Sequence, residues 1–208
     1  MSSRYRLVET YYRQQHFDFW SRYTNPFYAT TFHLDMTRLR AFAKERGYPI
    51  YAALCYFFTR AMRGVEDFRY RLLDGRIVLY EELHPALALP APGGLYTFAN
   101  FEYHPDAAVF HERAEKVSEE ARRSIDLGES EHLNWIFFTA LPKVPFTSFT
   151  HASNLPTDTV PRVAFGKFTE TDGRVTVPVS VQVSHVFIDG AALGDLVERA
   201  QQCYDDPG

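Results

Sequence analysis

His185 and Asp189 stand four residues apart in Ser184-His185-Val186-Phe187-Ile188-Asp189-Gly190, a His-x-x-x-Asp-Gly sequence. Imidazole titrates near neutral pH, so a partly buried, neutral ring can take a proton from a reacting hydroxyl. The preceding run, Arg174 to Val183, carries valine at every odd position. A period of two predicts a strand with one apolar face, and His185 continues the odd register, on the side that faces protein. Gly190 permits a tight turn. Ala191 to Tyr204 then reads as a helix, with Leu193, Leu196, Val197, Ala200 and Cys203 on one face. Alone, the three fixed residues would occur by chance in ~1% of chains this long. A satisfied core histidine is the plain alternative, and the strand, turn and helix around His185 argue against it.

Other chemistries fit less well. Spacing of four suits two metal ligands on one helix, but His185 and Asp189 follow a strand and have no second histidine pair near them, so no metal is expected. No G-x-S-x-G elbow is present for a serine hydrolase. Cys55 and Cys203 are far apart, outside any C-x-x-C pair, and read as buried thiols. A net charge of -4 argues against nucleic acid as the main partner. With 208 residues, 46% of them hydrophobic and 16% aromatic, the chain can bury one sizeable core. The longest apolar run, Ile50 to Phe58, is too short to span a bilayer, and Met1-Ser2-Ser3-Arg4-Tyr5-Arg6 lacks the apolar core of a secretory signal. No membrane association and a cytoplasmic location are expected.

The remaining elements must position that turn. Leu7 to Trp20 reads as a helix ending near Ser21, and Thr30 to Leu34 as a short strand. Asp35 can cap a helix running to Arg46, ended by Gly47. Pro49 opens an almost wholly apolar helix from Ile50 to Arg63, which must be buried on most sides. Asp74-Gly75 and Asp172-Gly173 predict hairpins, the first joining Phe68–Leu73 to Arg76–Tyr80, the second joining Ala164–Glu170 to Val175–Val183. Pro105 to Ser124 reads as an amphipathic helix, and Asn134–Ala140 and Pro145–Thr150 as strands. Without a strict β-α-β rhythm, the expectation is an α+β domain over 1–208, a mixed sheet with helices packed on one face.

Over nearly its whole length the chain resembles the chloramphenicol acetyltransferase family. The residues that carry this are Arg13-Gln14-Gln15-His16-Phe17, Phe68-Arg69 through Asp74-Gly75 with His84-Pro85, Phe146-Thr147-Ser148-Phe149, Gly166-Lys167, and Pro178 through Gln182 leading into His185 and Asp189-Gly190. The resemblance implies a two-layer CoA-dependent acyltransferase fold and a homotrimer with active sites at subunit interfaces. It implies acetyl-CoA as cosubstrate, chloramphenicol or a similar small molecule as acceptor, and no covalent acyl-enzyme. His185 would remove the hydroxyl proton, worth about 10²–10⁴ in rate. Asp189 would pair with Arg13 to orient the histidine turn, although Arg13 taken alone reads as a surface arginine. Thr139, in Thr139-Ala140-Leu141-Pro142, would serve the oxyanion. The acceptor pocket falls on Trp20, Thr24, Pro26, Tyr28, Phe149 and His151, and the cofactor site on Lys143, Lys167 and Phe168.

The chain departs from the family pattern at several of these positions. A serine usually stands where Thr139 does; threonine keeps the hydroxyl but restricts its rotamer. Read by itself Thr139 is equally an ordinary strand residue. Ala164 replaces a threonine associated with a water near the oxyanion. Lys143 falls where an aromatic often contacts the cofactor, and Pro26 and His151 are unusual in the acceptor pocket. Two other readings therefore stand beside chloramphenicol acetylation: the same transfer to another hydroxyl or amine acceptor, and a catalytically impaired trimeric binding protein.

Overall fold

The computed structural model describes residues 4–125, 127, 132–155 and 157–208. Met1, Ser2 and Ser3 of the segment read for a secretory signal lie outside them. The element order is β1 (Tyr5–Leu7), α1 (Gln14–Trp20), β2 (Phe27–Asp35), α2 (Thr37–Arg46), α3 (Ile50–Arg63), β3 (Tyr70–Leu73), β4 (Arg76–Tyr80), β5 (His84–Ala91) and β6 (Leu95–Asn100). It continues with α4 (Ala107–Ala121), β7 (Trp135–Ala140), β8 (Arg162–Phe165), β9 (Thr169–Thr171), β10 (Arg174–Ser184) and α5 (Gly190–Asp205).

The main sheet has the order β2-β10-β8-β7-β5-β6, with β9 also paired to β10, and β1-β4-β3 forms a small second sheet. The pairs β5–β7 and β7–β8 are parallel and the rest antiparallel, so the sheet is mixed, with helices packed on one face. α3 runs through the centre of the helical layer with ten of its residues buried. Arg71 ties the small sheet to the large one. It is 1% exposed and donates to the carbonyls of Phe68, Tyr70, Leu133 and Trp135. Burial lowers its guanidinium to about 9.

β10 is buried on both faces. Its valines pack into the helical core. Its even positions Ser180, Gln182 and Ser184 are 1–3% exposed. Ser180 Oγ donates to the carbonyl of Phe149, and the Gln182 amide both accepts from His151 N and donates to its carbonyl. Segment 145–150, expected as a strand, therefore has no strand assignment: polar side chains of β10, rather than a backbone ladder, receive its neighbourhood.

Three further expectations are corrected. The helix expected from Leu7 begins only at Gln14: Tyr5–Leu7 pairs with Tyr80–Val78 of β4, and Tyr11 is pulled into the core against Phe17, Tyr70 and Phe187. The strand expected at Thr30–Leu34 extends over Phe27–Asp35 because the whole length finds partners on β10. The expected strand Ala164–Glu170 breaks into β8 and β9 around Gly166. A Cβ at Gly166 would stand 2.7 Å from Pro178 Cγ and 2.9 Å from Phe146 Cε1, while its N–H donates to Pro178 O at 2.9 Å. Pro178 can sit inside a central strand because its position falls in the gap between the β8 and β9 ladders. β5 and β6 were not anticipated.

Candidate active site

His185 follows the last residue of β10, and its N–H donates to Pro26 O at 2.8 Å. Its ring stacks on Trp20, with centroids 4.0 Å apart and planes at 14°, and lies 5.0 Å from the Tyr28 ring. Nδ1 is buried without a hydrogen-bond partner among the described residues. Trp20 comes from the end of α1 and Tyr28 from the start of β2, so the ring at the end of β10 is packed between two other segments, while Pro26 holds its backbone.

Asp189 is the N-cap of α5. Its Oδ1 accepts from the N–H groups of Ala191 and Ala192 at 3.0 Å each, while Oδ2 meets Arg13 Nη2 at 3.0 Å. Burial alone would raise this carboxyl; the Ala192 N–H, the Arg13 charge and the Ala191 N–H outweigh it and hold it below the ordinary range. Arg13 also donates to Asp67 Oδ1 at 3.2 Å, the oxygen that accepts from Tyr12 OH at 2.5 Å. Asp67 is a member of this network that sequence reasoning missed; its place after Glu66, in a short 3-10 turn, gave no signal.

Thr139 lies elsewhere. It pairs with Ala164 of β8, which pairs with Ser180 of β10. Close by, Leu141 N donates to Phe165 O and Lys167 N to Val144 O, which places the exposed Lys143 and Lys167 on adjacent segments beyond the ends of β7 and β8. Phe168 is half-buried against the core. Beside Thr139 opens a cavity of about 740 Å³, with Leu89, Tyr96, Phe98 and Phe137 in its apolar wall and His151, Asn100 and the Arg162–Asp158 pair among its polar lining. Of the expected acceptor residues, His151 lines this cavity. Phe149 packs beside it at 4.8 Å. Trp20, Pro26 and Tyr28 surround His185 instead, and Thr24 is exposed. The β6 residues Tyr96 and Phe98 were missed; their signal is large apolar side chains 54% and 40% exposed on an edge strand.

The registers set the distance between the two places. Thr139 is level with Ser180, two strands from β10, and His185 is five residues beyond Ser180. At ~4.8 Å per strand and ~3.3 Å per residue, their Cα atoms are about 19 Å apart. Two short side chains cannot span that, so one chain does not bring the imidazole and the Thr139 hydroxyl to one reacting carbon.

A mixed sheet covered on one face by helices is the fold of the CoA-dependent acyltransferases. The dihydrolipoamide acetyltransferase of Azotobacter vinelandii shares it with a TM-score of 0.70 at 18% identity, over 93% of this chain and 87% of that one. A solved chloramphenicol acetyltransferase superposes with a TM-score of 0.89 at 25% identity, over 96% of this chain and 99% of that one. Curated chloramphenicol acetyltransferases of Streptomyces acrimycini and Bacillus pumilus are 30% and 29% identical, covering 96% and 93% of this chain and 93% and 90% of the relatives. The family model for chloramphenicol acetyltransferase matches residues 4–201, and the chain belongs to that family. It is an acyltransferase. Among the described residues no helix is long and apolar enough to cross a membrane, no group of metal-ligating side chains is assembled, and both cysteines are free.

Proposed function

We propose that this acyltransferase moves the acetyl group of acetyl-CoA to a hydroxyl of chloramphenicol or a molecule of similar build, at sites shared between the subunits of a homotrimer. The observation that carries this reading is the separation of about 19 Å between His185 and Thr139. A second copy of the chain supplies what one copy lacks: His185 of one subunit faces Thr139 and the cavity of its neighbour. The exposed Lys143 and Lys167 suit the phosphates of CoA, and the apolar cavity wall suits an aromatic acceptor.

In this reaction His185 Nε2 takes the acceptor's hydroxyl proton as the oxygen attacks the thioester carbonyl carbon. The Thr139 hydroxyl donates to the oxyanion. The C–S bond then breaks, the CoA sulfur receives the proton from His185, and the acetyl ester leaves with no acyl-enzyme formed. Asp189 and Arg13 are positioning residues. They hold the turn and move no proton.

A different acceptor is the second reading, and the polar groups His151, Arg162 and Asp158 in the cavity favour it. The impaired binding protein is a third, favoured by Ala164, which puts a methyl opposite Thr139. Purified protein mixed with acetyl-CoA and chloramphenicol is expected to release free thiol, and His185→Ala is expected to abolish release while sedimentation still reports a trimer. Thiol release only with other alcohols supports the second reading, and ligand binding without release supports the third. A monomer, or full activity in His185→Ala, refutes the proposed site.

A further inference from the structure

The cavity beside Thr139 has a polar end that its apolar wall does not require. Arg162 is fixed there by an ion pair with Asp158, both side chains under 10% exposed, by donation to Val160 O at 2.9 Å, and by the Phe27 and Phe137 rings at 5.6 and 5.5 Å. Its charge is already matched, so this end offers no uncompensated charge to a ligand. His151 is different. Its backbone is held by Gln182, while both ring nitrogens are buried without partners among the described residues, as is Asn100 Oδ1. Burial first, then the nearby Arg162 charge, lowers its imidazole to about 4, so the ring is neutral at working pH and carries one donor and one acceptor. Buried polar groups in folded proteins are nearly always hydrogen-bonded. A group left unpaired at the end of a cavity large enough for a small molecule is complementary to a ligand that brings the missing partner.

We infer that His151 selects acceptors that carry a second, uncharged hydrogen-bonding group on a ring-sized apolar body. A hydroxyl, donor and acceptor at once, matches a neutral imidazole; a carboxylate or ammonium does not, because Arg162 and Asp158 already satisfy each other. This rests on the proposed reading of the cavity as the acceptor pocket.

Three matched probes test it: 2-phenylpropane-1,3-diol, 2-phenylpropan-1-ol and 3-hydroxy-2-phenylpropanoate, which differ only in the second group. In thiol release with the full-length protein, kcat/KM for the diol is expected to exceed that for the mono-alcohol by about tenfold or more, beyond the twofold statistical advantage of two hydroxyls, with the carboxylate poorest. In His151→Leu the diol to mono-alcohol ratio falls to about the statistical value; His151→Asn, which keeps a donor and an acceptor, retains much of the preference. The same ratios read by calorimetric binding separate this inference from the transfer reaction. If no thiol is released but binding shows the His151-dependent preference, acyl transfer fails and the inference stands. Equal treatment of diol and mono-alcohol by the wild-type protein, or a ratio unchanged in both variants, overturns it.

Discussion

Asp189 performs two separable tasks, and two substitutions divide them. Asp189→Asn keeps a side-chain oxygen for the Ala191 and Ala192 N–H groups, since asparagine caps helices as well as aspartate, but it removes the ion pair with Arg13. Asp189→Ala removes both. A hydrogen bond between charged groups contributes about 1.5–3 kcal/mol. Here the carboxylate is 37% exposed and Arg13 retains Asp67 at 3.2 Å, so solvent screening and the surviving partner bring the pair down to about 1 kcal/mol. The cap adds about 1 kcal/mol. Denaturant titration should therefore place Asp189→Asn about 1 and Asp189→Ala about 2 kcal/mol below the wild type. The kinetic effect is expected to be larger than the stability effect. Between His185 and Asp189 the backbone is tied mainly by the Phe187 and Ile188 N–H groups on Ser184 O, at 3.2 and 3.1 Å. With the cap kept and Phe187 and Ile188 buried, loss of the Arg13 contact loosens only the far end of the turn, but a misplacement of about 1 Å can cost 10² in rate. Thiol-release kinetics on Asp189→Asn should show kcat lowered about 10–100-fold with KM within about threefold. Asp67→Asn, one partner further out, should lose comparable stability and much less rate. If Asp189→Asn turns over at the wild-type rate, the ion pair does not position His185. If the two Asp189 variants are equally stable, the cap assignment is wrong.

Thr139→Ala should lower kcat about 10²–10³-fold if the hydroxyl donates to the oxyanion, and Thr139→Ser should be neutral or faster; a large loss in Thr139→Ser would show that the methyl has a role of its own. Gly166→Ala places a methyl 2.7 Å from Pro178 Cγ and should destabilise the fold by about 1–3 kcal/mol, read as a lower thermal midpoint, whereas an unchanged midpoint would mean the β8–β9 corner gives way freely. Burial depresses His111, which stacks on Tyr48 with centroids 3.7 Å apart, and His151 to about 4 each. Unfolded histidines bind protons below ~6.5, so the unfolded state holds more protons between about pH 6.5 and 4. Stability should be complete above that window and fall as pH drops through it. Denaturation at pH 7, 5.5 and 4.5 checks this, and His111→Phe, which keeps the ring stack, should flatten the curve; equal stability at pH 7 and 4.5 refutes it.

Legibility followed the elements whose instructions are local. Gly47, at φ +71, ends α2 as its position suggested, α3 runs over the expected Ile50–Arg63, and Asp74-Gly75 and Asp172-Gly173 make their turns with positive φ at both residues. Failures came where a distant partner decided the outcome. The polar even residues of β10 look like a solvent face, yet Ser180 and Gln182 are buried because a loop some 30 residues upstream presents backbone groups to them. Pro145–Thr150 carries the phenylalanines and threonines that strands favour, yet it joins no ladder among the described residues. In β5 and β6, Pro85, Pro90 and the Pro92-Gly93-Gly94 turn masked pairing that is nonetheless continuous from Ala86↔Asn100 to Ala91↔Leu95.

The same division runs through the site. His185 and Asp189 could be singled out from the strand and turn around them and Arg13 from the family resemblance alone; in the structure Arg13 pairs with Asp189 at the far end of the turn that begins at His185. The cavity could not, since its lining comes from β5, β6, β7, the segments that precede β7 and β8, and Arg162 at the start of β8, and no spacing along the chain joins Phe98 to His151 or Arg162. The proposed division of the site between copies compounds the problem. Each chain carries one half at the end of β10 and the other beside β7, about 19 Å away, so neither half looks complete by itself. If the proposed reaction needs both halves, assembly is a condition of catalysis: dilution below the dissociation constant of the proposed trimer should abolish turnover even though every His185 keeps its Trp20 stack.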